Sequence, residues 1–191
     1  MCAGGAGEEP GPACLVAHVE IEALPEGPLY WSIYNFHDAE AAARAKGAHG
    51  AVVSAFGRVW MFDIGDKGRQ LPGGRHLADV GPLPVEGGKG VFDAEYLKST
   101  FTPGTTAPIH VHSGPEAFYA ISGASCLETP DGPQVARGAG HSLMVRRGPP
   151  MLLMAIGSET RQGFALVLHQ TGQPPTTLTS DWQPKGLCPS R

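Results

Sequence analysis

From residue 51 onward the chain is written in short apolar runs, each closed by Gly, Pro or both. AVVSAF and RVWMFDIG flank Gly57, which predicts a hairpin or bulge. Residues 71–90 are broken by Gly and Pro and leave room for one short strand around His76 to Val80. Seven β-like units follow: FDAEYLKSTFTPG, PIHVHSGPEAFYAISG, ASCLETPDG, PQVARGAG, HSLMVRRG, PMLLMAIG and GFALVLHQTG. Asp131-Gly132 between two of them is a hairpin signal, because both residue types tolerate the positive φ of a tight turn. Ahead of these units, Leu15 to Leu24 alternates as an extended segment. Leu29 to Phe36 packs four aromatic residues into eight positions and reads as buried against the rest. Asp38 is placed to cap an Ala-rich helix that closes at Gly47 as its C-cap.

Short strands at this spacing predict an all-β sandwich or barrel with one short N-terminal helix. The predicted organisation is a flexible leader at 1–14, an N-terminal extension at 15–90 that packs on the barrel, a core barrel at 91–172 and an irregular tail at 173–191 anchored by Trp182. No internal repeat is present, so one barrel is expected rather than two in tandem.

Composition narrows the function classes. With 14 basic and 18 acidic residues the net charge is −4, and no basic stripe offers a footprint for nucleic acid. No run is long and apolar enough for a membrane span. Residues 1–14 lack the basic and apolar regions of a signal peptide, so a cytoplasmic address is expected. Cys2, Cys14, Cys126 and Cys188 show no CxxC spacing; no disulfide framework is expected, and Cys126 reads as a small buried hydrophobe.

The candidate chemistry lies in GTTAPIHVHSGPEAFYAISG, residues 104–123. His110 and His112 are two apart, so on a strand they share a face. A bend through Ser113, Gly114 and Pro115 can return the Glu116 carboxylate to that face. Two imidazoles and one carboxylate suit a divalent Fe, Mn, Co, Ni or Zn ion and leave coordination positions open for catalysis.

With this segment the sequence resembles the cupin family. The first cupin motif is a Gly, five residues, His-x-His, three or four residues, Glu, six residues, Gly; here it is Gly104, His110, His112, Glu116 and Gly123. The resemblance covers residues 90 to 170 and implies a double-stranded β-helix, or jelly-roll barrel. More loosely, residues 15 to 90 are similar to the front part of certain small bacterial cupins. The second motif implies one more histidine after a turn. Gly140 and Gly148 fit its turns, but Arg146 stands where proline is common, Ala155 where asparagine is frequent, and Met151 where the fourth ligand is expected. A thioether is a weak ligand for these ions, so Met151 is a fourth-ligand or pocket position, and His141 is no convincing substitute.

Trp60, Phe101, Phe118, Met144 and Met154 are candidates for an apolar pocket lining. Tyr119, His169 and His76 are the candidates for a base or for a group supporting the ligands. Strand parity puts Phe118 and Ala120 on the face of Glu116 and turns Tyr119 outward. An apolar cavity with an open metal suggests a dioxygenase acting on a small organic molecule, which needs no base from the protein. The alternatives are a metal-dependent isomerase or lyase, or a non-catalytic ligand-binding or structural barrel. The resemblance also implies a homodimer formed through the outer sheet.

Overall fold

The structure, a computed structural model, describes residues 11–87 and 89–189. Strand β1 (Gly11–Ile21) begins inside the expected leader, whose earlier residues lie outside the described ones. Next come β2 (Tyr30–Phe36), helix α1 (Ala39–Ala45), β3 (Ala51–Ala55), β4 (Arg58–Gly65) and β5 (Arg75–Val80). Asp38 caps α1 by accepting the Ala41 N–H at 2.7 Å. The helix ends at Lys46, which is extended, one residue before the predicted Gly47 cap. Between β3 and β4, Phe56 and Gly57 both have positive φ, 50° and 67°, as a two-residue hairpin requires.

The second half supplies β6 (Phe92–Phe101), β7 (His110–His112), β8 (Glu116–Ser122), β9 (Ala124–Thr129), β10 (Gly132–Arg137), β11 (Ser142–Val145), β12 (Leu152–Ile156), β13 (Arg161–Gln170) and β14 (Thr176–Leu178). One sheet runs β1-β6-β13-β8-β11. The facing sheet runs β10-β9-β12 and continues through the bridges Thr106–Met154 and His110–Met151 to β7 and β14. Between them, Phe118, Leu143, Val145 and Ala165 of the first sheet meet Leu127, Met151, Leu153 and Ala155 of the second. This is a double-stranded β-helix. Its first sheet includes β1, so the barrel draws on residues well before the expected start at 91.

A third layer covers the barrel. The sheet β3-β4-β2-β5 lays Trp31, Trp60 and Phe62 on the outer face of the five-stranded sheet, against Tyr96, Tyr119, Phe164 and Leu166. Phe164 takes Trp60 at 5.0 Å and Phe62 at 4.9 Å, both edge to face. Each such ring, fully buried, contributes roughly 1.5–3 kcal/mol. The outer face of the five-stranded sheet is thus covered by the chain's own strands.

The cysteine expectation is corrected: Cys126 is bonded to Cys188. The bridge joins β9 to the C-terminal segment over a separation of 62 residues, beside Ala124 and Ile156. The fully buried Glu128 carboxylate accepts the backbone N–H groups of Lys185 and Leu187. The segment after Gln173 is therefore clipped to the barrel by β14, by Glu128 and by a covalent bond, while Trp182 is only half-buried. No helix among the described residues is long and apolar enough to cross a membrane.

Candidate metal centre

Local sequence sets the first step of the site. Strand β7 ends at His112, the bend Ser113-Gly114-Pro115 follows, and Glu116 opens β8. The bend packs so closely on β13 that a Cβ at Gly114 would stand 1.8 Å from the Leu168 carbonyl oxygen, and only glycine fits. The bend returns Glu116 to the histidine pair. One ligand atom from each of His110, His112 and Glu116 lies within 4.8 Å of the others.

Each imidazole is oriented from behind. His110 Nδ1 is 2.6 Å from the Pro108 carbonyl, and His112 Nδ1 is 2.9 Å from the Pro175 carbonyl. A carbonyl only accepts, so both Nδ1 atoms carry the proton and both Nε2 lone pairs are left for the site. His112 Nε2 and Glu116 Oε2 approach to 2.9 Å without hydrogen-bond alignment, and both are buried with no other partner. Buried polar atoms are normally satisfied, and two orphans converging with a third ligand fit a cation.

The two histidines differ electrostatically. Burial pushes His110 below the ordinary histidine value. Burial works the same way on His112, but the neighbouring Glu116 carboxylate outweighs it and the net shift is upward.

The three ligands border a cavity of about 580 Å³ between the two sheets. Phe101, Phe118, Met151 and Leu153 give it an apolar wall, together with Leu97 and Val167. Its polar groups besides the ligands are hydroxyls, among them Ser99, Thr105 and Thr176. Met151 is fully buried and pairs with His110 through the backbone, so its thioether stands beside the site.

The other candidates lie elsewhere. Trp60 is held in the third layer, its indole N–H donated to the Ala55 carbonyl at 2.8 Å. Met144 and Met154 are on outer faces, the first near the aromatic third layer and the second beside the disulfide. Tyr119 faces outward into the third layer. His76 pairs with Asp79 at 2.9 Å within the N-terminal sheet. His169 is buried against the Ser113–Pro115 bend, 3.8 Å from Glu95, and does not border the cavity. His141 is exposed.

The sequence reading missed Leu97 and Ser99, although counting back by twos from Phe101 finds both. It also missed the tail residues Pro175 and Thr176, for which no local signal exists.

No family model matches the chain, and no curated protein matches it. Among solved structures, the chain is similar to a cupin-like protein from Thermotoga maritima, with a TM-score of 0.41 at 13% identity over 45% of this chain and 64% of that one. It is also similar to an oxalate oxidase in complex with the substrate analogue glycolate, with a TM-score of 0.39 at 19% identity over 44% and 45%. A third is the DMSP lyase DddQ from Ruegeria pomeroyi, with a TM-score of 0.40 at 17% identity over 49% and 45%. The chain spans less than two-thirds of the length of each, and these likenesses concern the fold alone.

Proposed function

Taking a chain with the double-stranded β-helix of the cupins as the premise, we propose that it is a metal-dependent enzyme, a dioxygenase acting on a small organic molecule. The observation that carries this reading is the orphaned His112 Nε2 and Glu116 Oε2 pair, set beside His110 at an apolar cavity whose remaining polar groups are hydroxyls. A divalent ion held by His110, His112 and Glu116 would supply Lewis acidity and, as iron or manganese, electron exchange with oxygen. The protein's own part is to fix the three ligands through Pro108 and Pro175, to keep the site apolar, and to confine the substrate beside Phe118 and Met151.

The isomerase or lyase reading needs a base at the substrate. Tyr119, His76 and His169, the side chains expected to serve, do not border the cavity. A non-catalytic barrel draws support from Met151, which replaces an imidazole by a soft thioether.

The test is elemental analysis of protein purified without an affinity tag, beside the His110→Ala variant. About one equivalent of iron or manganese, lost in the variant, together with oxygen uptake on a panel of small organic acids and phenols, is the expected result. Zinc or nickel without oxygen uptake would move the reading to isomerase or lyase chemistry. No metal before or after reconstitution would leave a ligand-binding barrel.

We further propose that the protein works in an oxidising environment. The Cys126–Cys188 bridge weighs against the cytoplasmic address, because cytosolic thiols are kept reduced.

A further inference from the structure

Arg161 opens β13 and is 1% exposed, among the largest fully buried side chains of the protein. Its guanidinium lies over Gly163: a Cβ there would come 3.2 Å from Nη2 and 3.4 Å from Cζ. The side chain therefore runs along its own strand toward Ala165, which lines the cavity. Nε donates to Ser125 Oγ at 3.1 Å, Nη1 donates to Ser99 Oγ, and Cζ stands 5.7 Å from the centre of the Phe101 ring. Ser99 and Phe101 both line the cavity.

This cation is unusual in its company. Among the described residues its hydrogen-bond partners are neutral hydroxyls, and the carboxylate whose charge reaches it is Glu116. Burial, only partly offset by the Glu116 carboxylate, pushes the guanidinium down to about 10. Removing a charge from water without an ionic partner is costly, and a fold tolerates that where the charge has a use. Glu116 is no lasting partner, because a divalent ion would claim it. An ion of charge two against one carboxylate leaves one positive charge at the centre, and Arg161 adds a second at the far wall.

We propose that the cavity takes an organic monocarboxylate, its apolar body between Phe118 and Leu97 and its carboxylate turned to Ser99 with the Arg161 guanidinium behind it. The substrate class rests on the metal reading above for its reacting end, whereas the anion preference arises from Arg161. The Ser99 hydroxyl, which accepts from Arg161, can donate to the carboxylate, and the apolar surroundings strengthen the attraction of the charge behind it. Arg161 is here a specificity-determining residue that acts through Ser99.

The experiment is titration calorimetry of the purified protein with benzoate and hexanoate, against benzamide and hexanamide. The acids are expected to bind at least 10-fold more tightly than their amides. Arg161→Gln should remove most of that preference while keeping the metal content of the wild type, measured on the same samples. His110→Ala, run in parallel, separates the two readings, since a carboxylate can also bind a metal. An acid preference that persists in His110→Ala and vanishes in Arg161→Gln supports the inference. A preference that disappears with the metal and is untouched by Arg161→Gln overturns it while leaving the metal centre standing. Absence of metal in the wild type with the acid preference intact overturns the metal reading alone. Should Arg161→Gln not fold, the acid–amide comparison in His110→Ala decides: equal binding, or no binding of either, overturns the inference.

Discussion

His112 and Pro175 are 63 residues apart in sequence, yet the imidazole Nδ1 of the first lies 2.9 Å from the carbonyl oxygen of the second. Thr176 adds its hydroxyl at 3.2 Å from the same Nδ1 and pairs with His112 in the β7–β14 register. The C-terminal segment therefore determines which nitrogen of a candidate ligand faces the site.

Ending the chain after Gly172 should accordingly weaken metal binding. Loss of an outer partner of a metal-bound histidine typically costs 10–100-fold in affinity. Chelator competition reads the affinity, with circular dichroism to show that the barrel persists. Unchanged affinity in a folded truncation would mean that Pro175 does not orient His112.

The disulfide should matter to stability rather than to ligand geometry. Closing a loop of this length stabilises a protein by about 2–4 kcal/mol. Cys188→Ala is expected to lower the urea midpoint accordingly. A wild type that titrates as free thiols when denatured without reductant would refute the bridge.

Met151 stands where the cupin resemblance expects an imidazole, joined to His110 by paired backbone hydrogen bonds. Met151→His should convert three protein ligands into four and raise zinc affinity by about 10-fold or more. Zinc affinity equal to that of the wild type would place this side chain outside coordinating reach.

Asp79 offers a pH test away from the cavity. It accepts from Ser32 Oγ at 2.6 Å and from the Gly68 N–H at 2.8 Å, and lies 2.9 Å from His76 Nε2. Burial acts to raise its carboxyl, but these hydrogen bonds outweigh burial and hold it below the ordinary aspartate value. A carboxyl depressed in the folded state contributes stability above its unfolded value, near about 3.9, and loses it as pH falls through the folded one. Asp79→Asn should cost about 1–3 kcal/mol at neutral pH, and the gap to wild type should close as pH falls from about 5 toward 2. Urea denaturation across that range measures it; a constant gap would assign the effect to packing.

The sequence revealed what is local. His110, His112 and Glu116 lie within one bend, so strand parity and spacing bring them together without knowledge of the rest of the fold. Trp60 and Met154 belong to other sheets, and Met144 was misplaced for a definite reason. The five-stranded sheet is covered on both faces, so β8 reads as an unbroken buried run from Glu116 to Ala120 rather than an alternation. Apolar character then no longer says which side is the cavity. Arg161, Pro175 and Cys188 were invisible because each acts on a partner more than thirty residues away.

One wall of the cavity carries a further consequence. Thr176 and Leu178 both line it, and Leu178 is 69% exposed, on a strand of three residues at the rim of the barrel. The entrance is thus framed by a segment whose side chains support little of the core. Substitutions at Leu178 can widen or narrow the opening without touching the Pro175 and Thr176 contacts that orient His112. Selection, or a designer, can retune which molecules are admitted by rewriting this rim position while the chemistry inside stays as it is.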